Sequence, residues 1–156
     1  ERLLARGHRR IACITGPRHV FTAEERTQGF RDALDTARVP VDAGLVHYAD
    51  FKQAGGRDAA HAVLGSGSVD AIFVANSLMA VGVLEEAKDR GLAIGTDIDI
   101  VAFDDAPWTR LLSPSISVVR QPAYAVGHAA GTLLLDKLAD PDQAPQTILL
   151  NATMPS

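Results

Sequence analysis

The chain has 156 residues, 47% hydrophobic and 22% charged, so a compact fold buries about 68–70% of its unfolded surface and forms a domain with its own core. Its 15 Lys and Arg against 19 Asp and Glu leave a formal charge of -4, which lacks the cationic surplus that direct binding to a phosphate backbone demands. No apolar run approaches the ~20 residues of a membrane span, Glu1-Arg2-Leu3-Leu4 is neither an initiator Met nor a signal peptide, and the lone Cys13 excludes an internal disulfide.

Residues 1–6 read as the end of a helix closed by Gly7, since glycine tolerates the positive φ that stops a helix. Residues 10–15 follow as a strand, with Cys13 as a small packed hydrophobe inside it. Thr22-Ala23-Glu24-Glu25 matches a capping box and predicts a helix over 23–36, with Phe30, Ala33, Leu34 and Ala37 on its core face. A strand over 45–49 and a helix over 53–64 come next. The strand over 70–75 has no polar alternation, as expected when both faces are covered.

A helix over 78–90 stops at Gly91, and a strand over 98–103 ends abruptly in Asp104 and Asp105. Residues 104–115 are irregular, with Pro107 and Pro114; 117–119 is extended, 123–138 a helix and 147–150 a last short strand. There are no internal repeats, and residues 139–142 are the best linker candidate. Strand and helix alternating at this spacing predict an α/β fold, a doubly wound parallel sheet with helical crossovers.

Three apolar strands end in polar or turn residues: Gly16-Pro17, Asn76, and Asp104-Asp105. Ligands of open α/β sheets bind at such strand ends. Adjacent residues point to opposite faces, so one carboxylate of the pair accepts hydrogen bonds from a ligand while the other points into the structure. Arg26, in the first turns of its helix, opposes the helix dipole; it has a task there or is merely exposed. Phe51, after Asp50, is a lid, a platform for a ligand ring, or core packing. The five histidines show no metal-ligand spacing, and neither a dinucleotide loop nor a phosphate loop occurs, so no cofactor is expected.

In order, Gly7-His8-Arg9-Arg10-Ile11-Ala12, Gly16-Pro17, Glu25-Arg26, Gly29-Phe30, Asp50-Phe51, Asn76 with Met79-Ala80 and Gly82, Phe103-Asp104-Asp105, and Gln121-Pro122 with Gly127 resemble the lactose-repressor (LacI/GalR) family of bacterial transcription regulators. The resemblance covers nearly the whole chain. Ser77 stands where the family usually has Asp, Ala102 where it has Gly, and the tail lacks the common arginine.

The resemblance implies part of a two-lobe effector-binding core like that of type I periplasmic sugar-binding proteins. Residues 18–120 and 145–156 would form the distal lobe and 1–17 with 121–144 a remnant of the DNA-proximal lobe, the helix-turn-helix headpiece lying outside this sequence. It assigns effector contacts to Arg26, Asn76 and Asp104, with Phe51 as an aromatic wall, Gln121 at the crossover and Thr22 as a further hydroxyl. A homodimer interface is expected from Leu78, Met79, Leu111 and Leu112. The implied function is sensing of a small molecule, a sugar, by a cytoplasmic repressor that meets operator DNA through its headpiece and performs no chemistry. A periplasmic sugar-binding protein feeding a transporter is the first rival, and an enzyme on the same scaffold the second.

Overall fold

A computed structural model describes residues 1–154. In chain order the elements are α1 (Arg2–Ala5), β1 (Ile11–Thr15), α2 (Phe21–Thr36), β2 (Val46–Tyr48), α3 (Gln53–Gly65), β3 (Ala71–Val74), α4 (Ser77–Asp89), β4 (Asp99–Phe103), β5 (Ser117–Val119) and α5 (Ala123–Ala139). Short 3-10 turns occupy Ala43–Leu45 and Pro107–Leu111. The five strands form one parallel sheet in the order β2-β1-β3-β4-β5, with Cys13 beside Phe73 and Phe73 beside Val101. This is a doubly wound order whose direction of winding reverses between β1 and β3, the place at which ligands of open α/β sheets bind.

The central strands carry apolar residues on both faces because both are covered. Ala12, Ile14, Ile72, Val74, Ile100 and Ala102 face the layer of α3 and α4, whereas Ile11, Ala71 and Val101 face Leu3 of α1 and Leu34 of α2. The α3–α4 contact is backbone to backbone: a methyl group on Gly56 would lie 2.4 Å from the Met79 carbonyl oxygen, and one on Gly82 only 2.1 Å from that of Gln53. That close approach fixes the two helix starts, and with them Phe51 and Asn76, relative to one another. Gly7 and Gly91 terminate their helices at φ +96° and +71°, the left-handed region that glycine enters without steric cost.

Four sequence expectations change. The boundary at residue 17 fails, since β1 hydrogen-bonds to β2 on one side and β3 on the other and so belongs to the same lobe as they do. The Thr22–Glu25 capping box does not form: α2 starts two residues earlier, at Phe21 after Val20, and Glu24 instead reaches back to accept from the His19 amide at 3.0 Å. Residues 147–150 form no strand; in the tail, Thr153 makes an antiparallel bridge with Arg120. Met79 is fully buried against α3 and so presents no surface to a second copy of the chain. Helix α5 stands apart from this core, with no buried residue and Tyr124, Leu134, Leu135 and Leu138 exposed.

Candidate functional site

Helix α2 is anchored to β1 by a buried hydroxyl relay. The Thr27 hydroxyl lies 2.7 Å from the carbonyl oxygen of Ala23 and 3.0 Å from the Thr15 hydroxyl, which is itself 3.2 Å from that carbonyl, so one hydroxyl donates to the carbonyl and the other to its hydroxyl neighbour. Buried hydroxyls are costly unless bonded, so this relay fixes the first turns of the helix against the end of β1. Arg26, one residue before Thr27, therefore leaves the helix at a fixed place. Its Nη1 donates to the carbonyl of Ala75 at 2.6 Å, at the end of β3, and its Cζ lies 3.9 Å from the centroid of the Phe103 ring, at the end of β4. Burial lowers the guanidinium pKa from its ordinary value, and the nearby Asp104 charge opposes that shift.

Asn76 caps α4, with its Oδ1 accepting from the Met79 amide at 2.8 Å. This is ordinary N-cap chemistry, and it aims the side chain from the strand end while the Nδ2 group keeps no protein partner among the described residues. Asp104 has φ +80°, and its amide donates to the Val119 carbonyl at 2.9 Å. One of its carboxylate oxygens accepts from Nε2 of Gln121, which follows β5 at the entry to α5. Asp104 and Arg26 make no ion pair with each other among the described residues, although each carries charge into the same crevice.

Asp105 turns the other way, as its position beside Asp104 predicts. Its side chain is 9% exposed and accepts from Thr109 at 3.0 Å and from Arg120, whose Nη2 lies at 2.6 Å. The Thr109 hydrogen bond, with those of Arg110 and Arg120, holds its carboxyl below the usual range despite burial. Asp104 is thus offered to the crevice and Asp105 is spent on the crossover.

Phe51 also has positive φ, +62°, a conformation that costs a bulky residue roughly 1–2 kcal/mol. Its ring lies against Gly16 at the end of β1, where an added methyl would fall 2.0 Å from the ring edge. The aromatic wall therefore depends on a glycine beneath it, and the ring packs partly on the core beside the site. Thr22 is exposed in the first turn of α2 and makes no hydrogen bond to the Arg26 group among the described residues. The structure thus gathers Arg26, Asn76, Asp104 and Gln121, places Phe51 one strand away, and leaves Thr22 at the rim.

Sequence reasoning passed over Thr15 and Thr27, whose signal was two hydroxyls at apolar positions, and the carbonyl of Ala75, which no side-chain motif reveals. An apolar trough of about 390 Å³ runs behind the site from Arg26 and Phe103 along Phe30 and Phe73 to Leu4. Its hydrocarbon lining matches the back of the site rather than a polar ligand.

A parallel sheet with charged and amide groups at the ends of neighbouring strands has the form of a ligand-binding lobe. The family model for the periplasmic binding protein-like domain matches residues 1–154, and the chain belongs to that family. Among curated relatives it is 34% identical over 151 residues to the HTH-type transcriptional regulator CelR of Thermobifida fusca, covering 96% of this chain and 44% of the relative. It is 33% identical over 147 residues to the HTH-type transcriptional repressor PurR of Yersinia pestis, covering 94% of this chain and 43% of the repressor.

Among solved structures, the CelR–cellobiose complex superposes with a TM-score of 0.94 at 33% identity, covering 99% of this chain and 48% of the other. A LacI-family regulatory protein from Chloroflexus aggregans gives 0.90 at 34% identity, covering 98% and 56%. The resemblance to the LacI family read from the sequence is borne out, and so is the fold class. The chain spans less than half the length of the curated relatives it matches.

Proposed function

We propose that this chain is the effector-binding lobe of a LacI-family transcriptional repressor and that its ligand is a sugar held at the ends of β1, β3 and β4. The observation that carries this reading is the unpaired juxtaposition of Arg26 and Asp104, a rigid donor fork and a carboxylate that share a crevice without bonding one another. A hydroxyl both donates and accepts, so neighbouring hydroxyls of a carbohydrate can bridge the two, with Asn76 serving either role and the C–H face of the ring turned toward Phe51. The relatives support the same class: one solved regulator is a cellobiose complex and another LacI-family regulator holds ribose. They also favour regulation over transport, because the curated relatives are transcription regulators.

The ligand is bound and released unchanged. Binding favours one arrangement of two lobes, residues 121–144 belonging to the second, and a coupling of roughly 1–3 kcal/mol passes that preference to the DNA-binding headpieces. The unburied apolar face of α5 fits a helix that completes another core. A regulator of this kind works in the cytoplasm; no described helix is long and apolar enough to cross a membrane.

The assembly read here is a homodimer through Leu78, Leu111 and Leu112. Leu78 is 54% and Leu111 84% exposed, and such apolar surface on one lobe suits a two-fold contact. Leu111→Glu with Leu112→Glu in the full-length protein should sediment as monomer, and an unchanged dimer overturns the interface. The ligand site is tested by calorimetry of the full-length protein against mono- and disaccharides and nucleobases. Arg26→Ala should weaken the tightest ligand about tenfold or more, from hydrogen bonds to a charged group contributing roughly 1.5–3 kcal/mol. Unchanged affinity in a folded variant would show that the cleft is misplaced.

A further inference from the structure

We propose that Phe103 is a positioning residue for the ligand site, its ring face holding the Arg26 guanidinium so that only the edge of that group meets the crevice. The inference rests on reading the Arg26 crevice as the ligand site. Phe103 ends β4 on the α2 side of the sheet and lines the same apolar trough as Phe73. A packing role alone would need only hydrocarbon there. What sets Phe103 apart is Arg26, whose Cζ sits 3.9 Å from the ring centroid, a separation that leaves no room for an N–H aimed down at the ring. The guanidinium therefore lies along the ring, attracted by the negative potential of the aromatic face.

All five N–H donors of a guanidinium lie in its plane. With one face against Phe103 and Nη1 bonded to the Ala75 carbonyl at 2.6 Å, the flat group is located by a surface and an anchor point. The remaining donors then sweep a single plane, the one in which a ligand acceptor must lie. The Thr15–Thr27 relay fixes the root of the side chain and Phe103 fixes its tip. A leucine would fill the space but offer neither the flat surface nor the attraction, and the long stem would release the donor fork to many orientations.

The test uses the full-length protein with Phe103→Leu and Phe103→Tyr, each alone and with Arg26→Gln. Two readouts are taken: the Arg26 Nε–Hε resonance, assigned by its loss in Arg26→Gln, and calorimetric affinity for cellobiose, ribose and glucose. Phe103→Leu should move that resonance downfield as the ring current disappears, and Phe103→Tyr should hold it. Phe103→Leu should weaken the tightest of the three sugars about fivefold, Phe103→Tyr should retain affinity within about twofold, and in the Arg26→Gln background Phe103→Leu should add nothing.

An unmoved resonance, or an affinity loss of the same size with and without Arg26, overturns the proposal. If Arg26→Gln itself leaves affinity unchanged, or none of the sugars binds, it is the ligand reading that fails, and the resonance alone still decides whether Phe103 holds Arg26. Should Phe103→Leu lose the fold, Phe103→Met is read in its place.

Discussion

The two edges of the sheet are both charged, yet they use charge in opposite ways. At the edge where the strands begin, Asp99 accepts from His8 at 2.7 Å and from Arg6 at 3.0 and 3.1 Å, and Asp70 accepts from the amides of Arg9 and Arg10. Those bonds tie the turn before β1 to the starts of β3 and β4; both Asp99 oxygens and one Asp70 oxygen are bonded to their own chain, while the other Asp70 oxygen, Oδ1, is buried without a hydrogen-bond partner. At the edge where the strands end, Arg26 rests on a carbonyl and a ring, and among the described residues Asp104 has an oxygen with no protein donor and the two do not pair. Satisfied charge supports a fold, and under the proposed function the less satisfied charge at the strand ends is what a ligand would meet.

Removing one carboxylate from each edge should separate the two roles. Asp99→Ala strips His8 and Arg6 of their shared acceptor and should lower stability by about 2 kcal/mol in urea unfolding, with ligand affinity unchanged. Asp104→Ala should do the reverse, weakening the ligand about tenfold while stability stays within about 0.5 kcal/mol. Equal effects on both properties in either variant would erase the distinction.

Acid should act in part through the edge where the strands begin. Burial pushes the Asp99 carboxyl up, but hydrogen bonds from His8 and Arg6 pull it down further, and its net position is below the ordinary 3.8. A depressed carboxylate stabilises the fold above its unfolded pKa, and that contribution is lost as pH falls through the folded value. Stability should therefore decline below about pH 4 and decline less steeply in Asp99→Ala, as read from the urea midpoint at successive pH values. An unchanged slope would remove Asp99 from the acid response.

Between the edges lies Cys13, fully buried in β1, where burial pushes the thiol up to about 12. Because the folded value is raised, its contribution is present below the unfolded pKa and lost as pH rises toward the folded one. The native protein should show no reaction with a thiol reagent at pH 8, and full reaction in denaturant. A reactive thiol in the native state would mean that β1 is less enclosed than its neighbours require.

Much of this was legible along the chain. The unalternating run from Ala71 to Val74 announces a strand with two covered faces, Gly7 and Gly91 mark helix ends, and the pairing of Asp104 with Asp105 already divides one ligand group from one structural group. Asn76 at the junction of strand and helix is legible as a polar group at a strand end, whereas its capping of α4 comes from the structure. The capping box misled because Thr22 and Glu25 match a local pattern, whereas the start of α2 is decided by Glu24 reaching the His19 amide and by the Thr15–Thr27 relay. Met79 misled for a related reason: an apolar helix position looks alike whether it meets its own sheet, a neighbouring helix or a second chain, and here the glycine contact with α3 decides.

By itself the sequence determined the period and order of the elements, hence a parallel doubly wound sheet, and the chemical types of the residues at its strand ends. Those follow from local rules, the turn chemistry of glycine and the hydrophobic period, which need no knowledge of distant partners. Only the tertiary structure decided that β1 lies between β2 and β3, that Asp104 meets Gln121 while Asp105 is bound by Thr109 and Arg120, and that Arg26 lies on Phe103 beneath the Ala75 carbonyl. Most of these contacts join residues distant in the chain, through register, close packing and the direction of a side chain leaving its backbone, and none leaves a periodic trace in the order of amino acids.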